Sequence, residues 1–331
     1  MNAHSFWFHR GRVWALNTSL AGKIATSAKL RLRRKKFYEY KALYWMMLPG
    51  ILYFIVFHYI PMYGVVLAFK NFFILKGIMA SPWVGLDHFR KAFADPYFFN
   101  VLKNTLVISF YKLLFGFPIP IVFALLLSEV THMRFKKLVQ TVSYLPHFIS
   151  WVVLSGIFIS LFSMEGPVNL LMNLFGMEPT VYMADRRYFR IILIVTDIFQ
   201  SFGWGSIIYF AAIAGIDPQL YEAAIIDGAG RFKRILHITI PMLVPVISIL
   251  LILKMAHILD AGFDQVFNMY NPMVYEVSDI IDTYVYRKGL VEANYSYSTA
   301  VGLFKSVIAL ILIVVVNKAV KTMGGKEHTL W

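Results

Sequence analysis

Cysteine is absent from this chain and charge is scarce: only 15% of its 331 residues are Asp, Glu, Lys or Arg. Without cysteine there are no disulfides, no thiol nucleophile and no iron–sulfur ligation, although the absence identifies no compartment. A G-x-x-x-x-G-K-[ST] phosphate loop is also missing. Gly324-Gly325-Lys326 lacks both the first glycine and the Ser/Thr, so the chain has no means of that kind to bind ATP. No H-E-x-x-H pattern occurs and the nine histidines are scattered, which leaves no metal site to name. No enzyme is legible here.

Hydrophobic residues make up 59% of the chain, and its mean hydropathy is +0.63. A soluble surface needs roughly a quarter charged residues, so the composition describes an integral membrane protein. Six stretches reach the ~20 apolar residues that cross a ~30 Å hydrocarbon core: about 42–69, 101–128, 139–163, 189–216, 238–260 and 300–320. None alternates over barrel-strand lengths, so the expected fold is all-α. The domains are then a basic segment 1–41, a six-helix domain 42–320 and a tail 321–331.

The net charge of +14 invites a nucleic-acid reading until it is divided by topology. Segments 1–41, 129–138, 217–237 and 318–331 carry 19 Lys/Arg against 6 Asp/Glu, whereas 70–100, 164–188 and 261–299 carry 8 against 10. By the positive-inside rule the first set is cytoplasmic, with both termini inside. Trp7, Phe8, Trp14 and Leu16 among Arg10, Arg12 and Lys23, followed by the basic run Arg31 to Lys36, read either as an amphipathic anchor for anionic lipid or as a basic tail that only sets topology. No uninterrupted apolar run precedes an A-x-A-like site, so no cleavable signal peptide is expected.

Between the fourth and fifth stretches lies EAAIIDGAGRFKRILHITIPMLVP, from Glu222 to Pro245. Leu220, Ala224, Gly228, Phe232 and Ile235 recur every three to four residues, which on a helix makes one stripe, small at its centre. Small residues let another backbone approach. Asp227 and Gly228 mark a bend, and Pro241 and Pro245 the return into the membrane.

Glu222-Ala223-Ala224, Asp227-Gly228-Ala229 and Ile240-Pro241 resemble the EAA loop of permease subunits of binding-protein-dependent ABC importers. YFIVFHYIPMYG (53–64), SPWVGLDHF (81–89), SYLPHFISWVV (143–153) and DTYVYRKGL (282–290) are similar to the polysaccharide-type, LplB-like subgroup of sugar permeases. The resemblance runs from about residue 42 to the C-terminus. It implies a six-transmembrane-helix type I importer permease, with a cytoplasmic coupling loop 217–237 that seats in an ATPase through Glu222, Ala223, Ala224, Asp227, Gly228, Ala229, Phe232 and Pro241. It implies, further, a bacterial inner-membrane heterodimer with a second permease subunit, two ATPase subunits that carry the ATP and Mg, and an extracytoplasmic binding protein delivering an oligosaccharide. The long segments 70–100 and 261–299 would receive that protein. A same-fold importer for peptides or amino acids and a secondary transporter are the other readings, the latter without the internal repeats it calls for.

Seven ionisable residues lie within the stretches: Lys103, Lys112, Arg190, Asp197, Lys254, Asp260 and Lys305, each costly at membrane depth. Lys103, Arg190 and Asp260, near the ends, read as structural. Asp197, Gln200 and Trp204 share one helical face, as do Lys254 and His257. These five either line a substrate pathway or bond helix to helix. Five cations against two anions tilt the substrate toward an acidic saccharide, such as an alginate or pectin fragment. Pro118, Pro120, Pro146 and the Gly203-Trp204-Gly205 cluster are expected to kink or loosen their helices.

Overall fold

The computed structural model describes residues 39–324; the anchor expected before residue 39 and the tail from 325 lie outside them. The described residues are helical, with Lys70 and Trp83 forming an isolated antiparallel bridge. Five helical spans are long and apolar enough to cross a membrane: Lys41–Phe69, Pro96–Ser128, Arg186–Ala214, Arg231–Met255 and Tyr295–Val315. A sixth is broken. Met133–Phe148 and Trp151–Leu161 meet at 103°, with Ile149 and Ser150 in extended conformation at the break. The stretch 139–163 is therefore not one continuous helix. Pro146 stands in the last turn before the break, where the helix tightens to the 3₁₀ turn Leu145–Phe148.

The expected loosening at Pro118 occurs, the helix Pro96–Gly116 giving way at Phe117 to Pro118–Ser128, whereas that at the Gly203-Trp204-Gly205 cluster does not. Pro118 begins a helical segment, Pro118–Ser128, at a position where no N–H is needed. Gly203 and Gly205 lie inside an uninterrupted helix, Arg186–Ala214. They serve close packing instead: the Ser143 carbonyl occupies the place of a side chain at Gly203, and a Cβ at Gly205 would meet the Pro120 ring at 3.3 Å. In a bilayer helices gain little by hiding apolar surface from one another, so small residues that bring backbones together supply the attraction.

The chain divides into two units at Gly64/Val65. In the first, residues 39–64 form one apolar helix whose Trp45, Met46 and Phe57 are exposed within the chain. The second holds the remaining spans. Its core gathers Ile108, Leu154, Phe158, Phe189, Leu193, Val266, Met269 and Ile280, with a second cluster of Phe98, Val101, Ile281, Tyr284 and Val301.

The segments 70–100 and 261–299 are ordered and interlocked. Asp279, its side chain wholly buried, accepts from the Tyr97 hydroxyl at 2.6 Å, from Thr283 Oγ1 at 2.7 Å and from the Arg287 guanidinium. Tyr284 Oη bonds Asp95 at 3.2 Å and Tyr297 at 2.9 Å. Phe72 N donates to Ser296 Oγ at 2.9 Å. Burial pulls the Arg287 guanidinium toward neutrality, but Asp279 outweighs it and holds the charge more firmly than usual.

Candidate functional site: a cationic pocket pair and an exposed connector

The five residues expected on shared helical faces come together in space. A cavity of about 230 Å³ is lined by Lys112, Asp197, Lys254, His257 and Asp260. A second, of about 500 Å³, is lined by His147, Gln200, Trp204, Lys254 and His257. Lys254 and His257 border both. Their juxtaposition survives although the helix stops at Ala256 and His257 is its capping residue.

The in-span charges are mostly neutralised within the chain. Lys112 Nζ donates to Asp197 Oδ1 at 2.9 Å, to the Ala261 carbonyl at 2.9 Å and to Gln265 Oε1. Gln265 in turn donates to the Leu193 carbonyl and Thr196 Oγ1, each at 2.7 Å. This buried ammonium has three acceptors and no donor to spare. Lys305 Nζ bridges Asp260 at 2.6 Å and Asp282 at 2.7 Å. Asp260 also accepts from His257 at 3.1 Å. Arg190, as expected of an end position, donates to the Val277 carbonyl at 2.8 Å and Asn104 Oδ1 at 2.6 Å.

Lys254 differs. Its side chain is exposed to the cavities, and its ammonium has no ion-pair or hydrogen-bond partner among the described residues. The count of five cations against two anions thus overstates the free charge, because Asp282, outside the spans, also takes part in pairing. Sequence reasoning missed His147, whose ring stacks on Trp204, and Gln265, which lies outside the apolar stretches and becomes a partner of Lys112 only through tertiary packing.

In the connector, the stripe from Leu220 to Ile235 does not form on one helix. Pro218–Ile226 and Arg231–Arg234 are separate helices, and Gly228 between them has φ +75°. Ala229 N donates to the Ala224 carbonyl at 2.8 Å, and Gly228 N to the Ile225 carbonyl at 3.0 Å. This pair of bonds is the Schellman closure of a helix, in which the left-handed residue is normally glycine. No atom lies within 4 Å of a Cβ built at Gly228, so its backbone angle, and not crowding within the chain, calls for glycine. Glu222, Ala223, Asp227 and Phe232 are exposed, Ala224 and Ala229 half-buried, and Ile226 is 86% exposed. Pro241 stands in the first turn of the helix Ile240–Ala256.

Broken and continuous helices around polar cavities, with an exposed helical connector, describe a membrane permease. Residues 100–323 match the family described as binding-protein-dependent transport system inner membrane component, and the chain belongs to it. The polygalacturonan/rhamnogalacturonan transport system permease protein YteP of Bacillus subtilis (strain 168) is 46% identical over 290 residues, covering 87% of this chain and 90% of that protein. Protein LplB of the same organism is 46% identical over 283 residues, covering 85% and 89%. Among solved structures, a bacterial ABC transporter involved in import of the acidic polysaccharide alginate has a chain 40% identical, with a TM-score of 0.82 over 88% of this chain and 98% of its own. The chain is thus an all-α permease component of an ABC importer of the carbohydrate kind, situated in the inner membrane.

Proposed function

We propose that this chain forms half of a translocation path for an oligosaccharide, with an acidic one favoured. Lys254 carries the reading: it is an unpaired cation on the border of two cavities, whereas Lys112 and Lys305 are already bound to carboxylates and Lys103, near a span end, lines neither cavity. A uronate carboxylate would supply the missing partner. Gln200 and the Trp204 ring offer a hydrogen bond and a stacking face, and Asp197 and His257 complete the walls. Support comes also from relatives whose names specify polygalacturonan/rhamnogalacturonan and alginate.

In this reading the connector 217–237 lies on the cytoplasmic side, where its exposed Ile226 and Phe232 seat in a partner ATPase that binds the ATP and Mg. The interlocked segments 70–100 and 261–299 face outward and receive the binding protein. A solved complex of the alginate transporter with its pentasaccharide-loaded periplasmic protein supports such a partner. A homologous second permease subunit closes the path.

Lys254→Met tests the substrate assignment. Charge-assisted hydrogen bonds contribute about 1.5–3 kcal/mol, so uptake of a galacturonate oligomer by the reconstituted transporter should fall roughly ten- to a hundredfold. Thermal stability in detergent should hold, because no carboxylate among the described residues pairs with Lys254. Unchanged uptake would remove Lys254 from the path.

A further inference from the structure

One wall of the 500 Å³ cavity belongs to the elbow of the third span. His147 and Phe148 are the last residues before the 103° bend, and both pack on Trp204. The imidazole lies flat on the indole, with ring centres 4.6 Å apart and planes 3° from parallel. Phe148 meets the same indole edge-on at 5.4 Å. The histidine therefore covers part of the aromatic surface that a sugar would use, since the electropositive C–H face of a pyranose complements the negative face of an indole.

This arrangement leaves His147 Nδ1 buried and without a hydrogen-bond partner among the described residues. A ring nitrogen always either donates or accepts, and a buried one that does neither calls for an explanation. Trp204 stands in the middle of an unbroken helix. Its neighbours Gly203 and Gly205 are packed directly on Ser143 and Pro120, so this stretch of the fourth span is clamped. The turn that carries His147 packs on the same helix through the rings of His147 and Phe148, with no glycine fixing its backbone against a neighbour. Leu145–Phe148 is a single 3₁₀ turn between the anchor at Ser143 and the extended Ile149 and Ser150, the kind of element end that absorbs a change in backbone angles.

We propose that His147 is a gate: its imidazole, lying on the stacking face of Trp204, leaves when a saccharide ring enters, recovering the hydrogen bond that Nδ1 lacks. The proposal rests on the oligosaccharide path described above and adds the element that closes it. His147 acts by covering Trp204, so its removal should help the substrate where removal of a contact residue would harm it.

The test uses the assembled transporter in proteoliposomes, with labelled trigalacturonate and maltotriose as probes. His147→Ala should lower the KM for the transported sugar three- to tenfold. His147→Phe, which keeps the stack, should leave it at or above the wild-type value, and Trp204→Ala should raise it. Because the chain has no cysteine, Gln200→Cys serves as a reporter that needs no sugar, and its reaction with a small water-soluble thiol reagent should quicken several-fold in the His147→Ala background. A KM that is unchanged or raised in His147→Ala, or an unchanged labelling rate, overturns the gate, while an effect of Trp204→Ala keeps the path. A neutral Trp204→Ala removes the path through this cavity and the gate with it. If the wild type takes up neither sugar, the saccharide reading fails and the labelling rate alone decides whether His147 covers the cavity.

Discussion

Residues 70–100 and 261–299 tie themselves together through a wholly buried carboxylate, Asp279, bonded to Arg287, Tyr97 and Thr283. Residues 217–237 instead leave Ile225, Ile226 and Phe232 exposed, with the 3.0 Å bond from Tyr221 to Thr239 as their one side-chain to side-chain hydrogen bond among the described residues. The two regions satisfy their groups in different ways. The first is finished within the chain, which suits a rigid platform. The second closes its backbone with the Schellman turn at Gly228 and leaves its apolar side chains uncovered, which suits a surface completed by a partner.

The comparison can be broken most forcefully at Asp279. Asp279→Ala leaves the Arg287 guanidinium half-buried and uncompensated, and breaking a buried pair in this way costs about 3–5 kcal/mol. A large drop in detergent melting temperature is expected; a small one would mean that the platform is held by packing alone. At the other region Gly228→Trp places a bulky residue at φ +75°, a left-handed angle that costs a side-chain residue about 1–2 kcal/mol. Melting should shift little, while substrate-stimulated ATP hydrolysis should be lost. Gly228→Asn, which tolerates that angle, should retain most of the stimulation. Loss in both variants would locate the defect in surface contact and not in the turn.

Alkali gives a smaller effect on the platform. Burial, together with Tyr275 and Asp279, pushes the Tyr270 hydroxyl up to about 12, and burial with Tyr297 and Asp95 raises Tyr284 as well. A raised tyrosine favours its neutral form in the fold, so its contribution is complete below the ordinary value of ~10 and disappears as pH climbs through the folded value. Melting temperature should therefore decline above pH ~10, and Tyr270→Phe should flatten the decline. The smallest perturbation is a labelling experiment. Ala223→Cys should react with an impermeant thiol reagent only from the cytoplasmic side and Met273→Cys, at a 65% exposed position, only from outside. Ser278 is unsuitable for the purpose because it is buried and bonded to the Val274 carbonyl. Labelling of Ala223→Cys from outside would reverse the orientation and remove the ATPase contact.

Much of this architecture was legible in advance. Apolar runs of membrane length gave the spans, because a bilayer demands ~20 apolar residues in a helix and little else. Pro146 marked the neighbourhood of the elbow, which falls just past it at Ile149 and Ser150. Gly203 and Gly205 misled, since a glycine that loosens a helix and one that admits a neighbour look alike in a string of letters. Only the backbone of Ser143, sixty residues earlier and pressed against Gly203, separates the two.

The charges divide along the same line. By itself the sequence determined that the protein spans a membrane and that no phosphate-loop pattern is present, for these depend on composition and on spacing along one segment. Which of Lys112, Lys254 and Lys305 is free depended on the tertiary structure. Lys112 finds Asp197 from 85 positions away and Lys305 finds Asp260 from 45, so Lys254 is left without a partner by the packing of other helices. Ion pairing at membrane depth is decided by whichever carboxylate comes within a few ångströms, and that distance exists only once the helices have packed.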